Sequence, residues 1–161
     1  MSMICCFKKI PANLVEGDLT ALEEYIAELD IEELAFSDDP DGLSLDKAWH
    51  GVHFLLTGSS MPTDDLLSDV IMGGTEVGDD LGYGPARYLK PEEVAALAEG
   101  LGKVTQEDLY NKFSPDGMTD VYPDIWDEED AFEYLLDNFF QLSEFFMAAA
   151  KEYCAMLVCV V

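Results

Sequence analysis

Positive charge is the scarcest property of this chain. Eight lysines and arginines stand against 34 aspartates and glutamates in 161 residues, a formal net charge of −26. No cation lies between Lys9 and Lys47, and none between Lys112 and Lys151. Nucleic-acid binding without sequence preference draws on Lys and Arg that neutralise phosphates, so nucleic acid is not expected as a partner. An anionic membrane surface is disfavoured on the same ground. Two readings of the acidic balance remain. It is a solvated surface that serves solubility or life at high salt, or it attracts a basic protein and speeds encounter with it.

Metal-binding and nucleophile patterns are also missing. Histidine occurs only as His50 and His53, three residues apart, with no HExxH and no CxxC to complete a zinc set. The acidic stretch SDDPDG fails as a calcium loop. With Gly42 at its sixth position, the twelfth is Ala48, where a bidentate Glu is required. The glycines of TEVGDDLGYGP are not followed by Lys-Ser/Thr, so there is no phosphate loop. No nucleophile elbow is present. No metal or cofactor is expected. The four cysteines, Cys5, Cys6, Cys154 and Cys159, sit in apolar runs near the two ends and read as small buried residues, not a disulfide framework. The start MSMICCFKKI holds no apolar stretch of signal length, and Lys151 and Glu152 break the longest apolar run. A cytoplasmic protein with no membrane span is expected.

What is present is enough apolar residue, 49%, to bury a core in one domain over 1–161. Ser2–Ile10 and Cys154–Val161 are apolar, β-favouring runs at the two ends, expected to pair side by side. Between them, Asp18–Leu29 shows Leu19, Leu22, Ile26 and Leu29 at helical spacing. Asp30–Leu45 reads as an exposed acidic loop, and a short helix is expected from about Pro62 or Thr63 to Met72. Thr75–Pro85 reads as a tight loop before a strand at Ala86–Leu89. Pro91 with Glu92 and Glu93 opens a helix that stops at Gly102, and Thr105 with Asp108 has capping-box spacing. Asp127–Asp130 crowd the first turn of the longest helix, which carries Phe132, Leu135, Leu136, Phe139, Leu142, Phe146, Ala149 and Tyr153 at helical spacing. The fold class is α+β: a small mixed sheet including both terminal strands, packed with several helices around a single-layer core.

The stretch DKAWHGVHFLLTGSS, Asp46–Ser60, draws the candidate site together. Asp46 can cap a helix, Trp49, His53 and Thr57 follow at spacings of four on one face, and Gly58 ends it. His53 reads as a hydrogen-bonded core histidine or as a ligand-contacting, proton-handling group. Arg87, the sole arginine, reads as ion-paired to a carboxylate or as the holder of an anionic ligand group. Tyr122, Pro123 and Trp126 form an aromatic loop. A candidate ligand cleft is therefore lined by Trp49, His53, Thr57, Tyr83, Arg87, Tyr122 and Trp126, with no catalytic residue assigned.

KAWHGVHFLLTG, IMGG, GYGPARYLKPEEVAALAEGL and VYPDIW, in this order between an N-terminal strand and a long helix before a terminal strand, resemble the YfbM-like family of bacterial proteins of unknown function. The resemblance covers most of the chain. It implies an α/β-type cytoplasmic domain and brings no activity with it. The positions that look like family motif positions are Trp49, His53, Thr57, Gly58, Gly73, Gly74, Tyr83, Gly84, Arg87, Tyr122 and Trp126. Three functions follow as expectations: a non-catalytic domain binding a small ligand or a protein, an acidic immunity-type neutraliser of a basic partner, and an enzyme using His53 as acid or base.

Overall fold

The computed structural model describes residues 2–36 and 39–161. Its strands are β1 (Cys5–Ile10), β2 (Gly42–Ser44), β3 (Thr75–Asp80), β4 (Pro85–Leu89) and β5 (Ala155–Val160). They form one sheet in the order β2-β1-β5-β4-β3. β5 is central because AMLVCV is apolar on both of its faces, and all of it but Val160 is buried. It pairs with β1 from Cys5↔Val160 to Ile10↔Ala155 and with β4 from Arg87↔Val158 to Leu89↔Met156. The expected pairing of the two end strands is present, in an α+β fold.

The sheet is antiparallel at every pairing, not mixed. The helices between β4 and β5 bring the chain back to the end of the sheet where β4 finished, so β5 runs back along it. The core also differs from a single layer. Alternate side chains leave a strand on opposite sides, and both sides are covered. Cys5, Phe7, Leu89, Met156 and Val158 face one cluster with Val52, Leu97, Phe139 and Phe146. Ile10, Ala86, Tyr88, Leu157 and Cys159 face a second with Leu22 and Ile26.

The helices are α1 (Thr20–Glu28), α2 (Ile31–Ala35), α3 (Trp49–Thr57), α4 (Pro91–Gly102), α5 (Gln106–Lys112) and α6 (Ala131–Lys151). α1 buries Leu22 and Ile26 of its expected stripe. α6 buries Leu135, Phe139, Leu142, Phe146 and Ala149. α5 has the expected capping box between Thr105 and Asp108. Gly58 ends α3 with φ +78°.

Four local expectations are corrected. Asp30–Leu45 is not all loop, for Asp30 accepts from the Glu33 N–H to cap α2, and β2 follows; Ser37 and Asp38 of that stretch lie outside the described residues. Thr75–Pro85 is most of a hairpin, with Gly78 (φ +79°) in a bulge between Val77 and Asp80 and Gly82 and Gly84 in the connection to β4. Asp46 does not cap α3. It sits in a 3-10 turn (Asp46–Ala48) and its carboxylate accepts from the Tyr134 hydroxyl at 3.1 Å. The acids Asp127–Asp130 precede α6 instead of forming its first turn.

Candidate functional site

The two motif stretches KAWHG and VYPDIW form one polar-aromatic clamp. Trp49 and Tyr122 lie with ring centroids 6.1 Å apart, and the His50 ring stacks on Trp49 at 5.0 Å. Between them they hold the backbone of Met3. Trp49 Nε1–H donates to the Met3 carbonyl at 2.9 Å, and the Met3 N–H donates to the Tyr122 hydroxyl at 3.0 Å. His50 Nδ1 accepts from the Tyr122 N–H at 2.9 Å, which leaves Nε2 to carry the proton donated to the Ser60 carbonyl at 2.8 Å. Trp126 closes the far side. Its Nε1–H donates to the Val121 carbonyl at 2.8 Å, and its ring lies where a Cβ on Gly51 would stand 2.7 Å away. That close approach is what the glycine of KAWHG is for.

His53 and Thr57 form a second group, one turn along α3. His53 Nε2 lies 3.0 Å from the Met61 carbonyl, so it carries the proton. Thr57 Oγ1 donates to the His53 carbonyl at 3.0 Å and accepts from the Ser59 N–H at 3.2 Å. These bonds fold residues 58–61 back on the helix, and Ser60 Oγ ties that turn to Asp120 at 2.6 Å. His53 is fully buried, and its Nδ1 has no hydrogen-bond partner among the described residues. Burial lowers its pKa, the Met61 bond opposes that, and His50 adds to the lowering. In the unfolded chain the imidazole titrates near its ordinary 6.5. Between that pH and the lower folded value the unfolded state binds more protons, so stability is full above pH 6.5 and falls as acid is added. The contribution from one imidazole is at most about 1.4 kcal/mol per pH unit. Urea titrations of the wild type and His53→Gln across this window should show a shallower acid loss in the variant. Equal slopes would mean that His53 is not the titrating group.

Arg87 forms no ion pair among the described residues. Its guanidinium donates to the carbonyls of Gly73 at 2.6 Å and Ile71 at 2.8 Å. IMGG and the arginine of GYGPAR are thus one unit, in which a strand side chain holds the turn that leads into β3. The expected carboxylate pairing is corrected: the fork of the guanidinium suits two carbonyls held by a tight turn as well as it suits a carboxylate. Tyr83 stands in the β3–β4 turn, 41% exposed. Of the five cavities described, from about 190 to about 480 Å3, only the smallest is lined by any of the seven cleft positions, and that one is Trp126.

Cys5, Cys6 and Cys159 are buried as expected, whereas Cys154, just ahead of β5, is only half-buried. Burial pushes Cys6 and Cys159 up to about 12, and Cys5 is raised by the same cause. Among the described residues no three His, Cys, Asp or Glu side chains are grouped to hold a metal ion. No described helix is long and apolar enough to cross a membrane.

The family model described as a domain of unknown function (DUF1877) matches residues 1–159. The chain belongs to this family. Among solved structures it is similar to a protein of unknown function, YfbM from Escherichia coli, with a TM-score of 0.71, 21% identity, and coverage of 98% of this chain and 99% of that one. At that identity the likeness speaks for the fold. The resemblance read from the motifs is upheld. No curated protein matches. Sequence reading overlooked Met3, which the clamp grips through its backbone and which no side-chain pattern could reveal. It also overlooked the edge of β3, hidden in a segment whose glycines and aspartates read as loop.

Proposed function

We propose that this member of the DUF1877 family is a non-catalytic protein-binding domain whose partner is basic. The observation that carries the reading is how little of its acidic charge is neutralised internally. Every described acidic side chain except the half-buried Asp39 is exposed. Only three ion pairs occur among the described residues: Lys8 with Asp39, Lys9 with Glu152 at 3.1 Å and Lys103 with Glu99 at 3.6 Å. Two further cations are spent on backbone. Arg87 holds the Gly73 turn, and Lys112 Nζ donates to the Leu56 carbonyl at 3.1 Å. The negative field is left for something outside the chain, and fields of this kind raise association rates more than they raise affinity.

Both histidines and the arginine are engaged in holding turns, which supports a binding role over a chemical one. The experiment is affinity capture on the immobilised domain at low and high salt, followed by reconstitution from purified components. The reading expects a basic protein that forms a stoichiometric complex, with an association rate that falls as salt is added. Capture of no basic protein at low salt would overturn it.

A further inference from the structure

The two edges of the sheet are unequal. β2 is three residues long, whereas β3 has six, all exposed but Val77. At about 3.4 Å per residue, β3 offers a ledge of roughly 20 Å, the length of an ordinary strand. One side of an edge strand has no neighbour, and alternate residues turn N–H and C=O towards it. Beside this ledge lies the largest of the described cavities, a groove of about 480 Å3 between α1 and the β3–β4 hairpin. Its apolar part includes Ile26, Leu29, Ile31 and Leu81, its acids are Glu23, Glu24 and Asp79, and no lysine or arginine lines it. The bulge puts Gly78 at the groove wall. A Cβ there would find only Ile26 Cγ2, 4.0 Å away, so the β3 backbone is open to close approach.

From these features we infer that β3 and the α1 groove accept an extended cationic segment of the partner as a sixth strand. The inference rests on the basic-partner reading and gives it a site and a geometry. Strand addition draws affinity from main-chain hydrogen bonds and selectivity from alternate side chains. One alternate set of its side chains faces α1, where the stems of lysines or arginines lie along Ile26 and Leu81 and their charges reach Glu23, Glu24 and Asp79, and the other set faces the Glu76 side of the sheet. Charge decides against a second copy as the occupant. Self-pairing would set Glu76, Asp79 and Asp80 against their own equivalents, and like charges across a strand pair destabilise it. The acids that guard the edge against its own kind recommend it to a basic strand.

The probe is the peptide acetyl-Lys-Val-Lys-Val-Lys-Val-Lys-amide, with two N-methylated versions, one methylated on its valines and one on its lysines. All three carry the same charge. Amide shifts and slowed exchange at Glu76–Asp80, together with shifts along Thr20–Ala27, are expected on adding the parent peptide. One methylated version should bind at least tenfold more weakly and the other almost unchanged, because only one alternate set of N–H groups faces β3. The exposed double variant Glu23→Lys/Glu24→Lys should also lose at least tenfold, and Glu144→Lys on α6 should lose nothing. If the three peptides bind alike, strand addition is overturned, while a basic partner captured separately keeps the broader reading alive. Shifts confined to another surface, binding by none of the peptides, or a concentration-dependent dimer sealed through β3 would overturn the inference as well. Failure of both the peptides and the capture experiment removes both readings.

Discussion

Phe146→Ala should lower the unfolding free energy by about 3–5 kcal/mol. Phe146 is completely buried on α6, and its ring meets Phe7 of β1 edge-on, centroids 5.8 Å apart and planes at 74°. It joins the helix to the sheet at its middle. Truncation removes transfer free energy, leaves a hole that rigid neighbours cannot close, and forfeits an aromatic contact of about 0.5–1.5 kcal/mol. In urea the midpoint should drop with the slope unchanged, since the surface exposed on unfolding stays nearly the same. Phe146→Leu should recover more than half of the loss. A loss below about 1 kcal/mol for the alanine variant would show that α6 does not seat on the sheet as described.

The second large effect is expected at Arg87. Arg87→Ala strips a charged donor pair from the carbonyls of Gly73 and Ile71, and bonds of that kind contribute about 1.5–3 kcal/mol. A loss of about 2–3 kcal/mol is expected for the half-buried site. Amide exchange along Gly74–Val77 should quicken, because the turn into β3 loses its tether. Arg87→Lys should restore only part, since an ammonium is a point donor and cannot span two carbonyls as a planar fork does. An arginine kept for an anionic ligand would behave differently: its removal would leave the empty protein as stable as before. Unchanged melting of Arg87→Ala would therefore return Arg87 to the ligand reading.

The contrast between these two residues explains what could be read in advance. Phe146 lies on an apolar stripe with helical spacing, and the stripe announces its buried face because burial is a property of side-chain type. The capping box at Thr105 was legible for a similar reason: both partners are local and both are side chains. The pairing of the end strands followed from two β-favouring runs rich in apolar residues at the two ends of the sequence. Arg87, His50 and Trp49 are another matter. Their partners are backbone atoms of Gly73, Tyr122, Ser60 and Met3. Every residue has such atoms, so no pattern of residue types marks which will be used. Six of the seven cleft positions, all but Tyr83, bond to backbone atoms in this way. The hairpin at Thr75–Leu89 was obscured by composition, since glycine and aspartate are poor strand formers until a bulge gives them a place.

The central position of β5 has a consequence for biogenesis. A ribosome makes β1 some 150 residues before the strand that lies against it, as the register Cys5↔Val160 requires. Until Ala155–Val160 leave the exit tunnel, β1 and β4 have no common neighbour and the middle of the sheet does not exist. Until then β1 has only β2 beside it and β4 only β3, so each keeps one edge open, and the negative charge of the chain keeps neighbouring chains on a polysome apart.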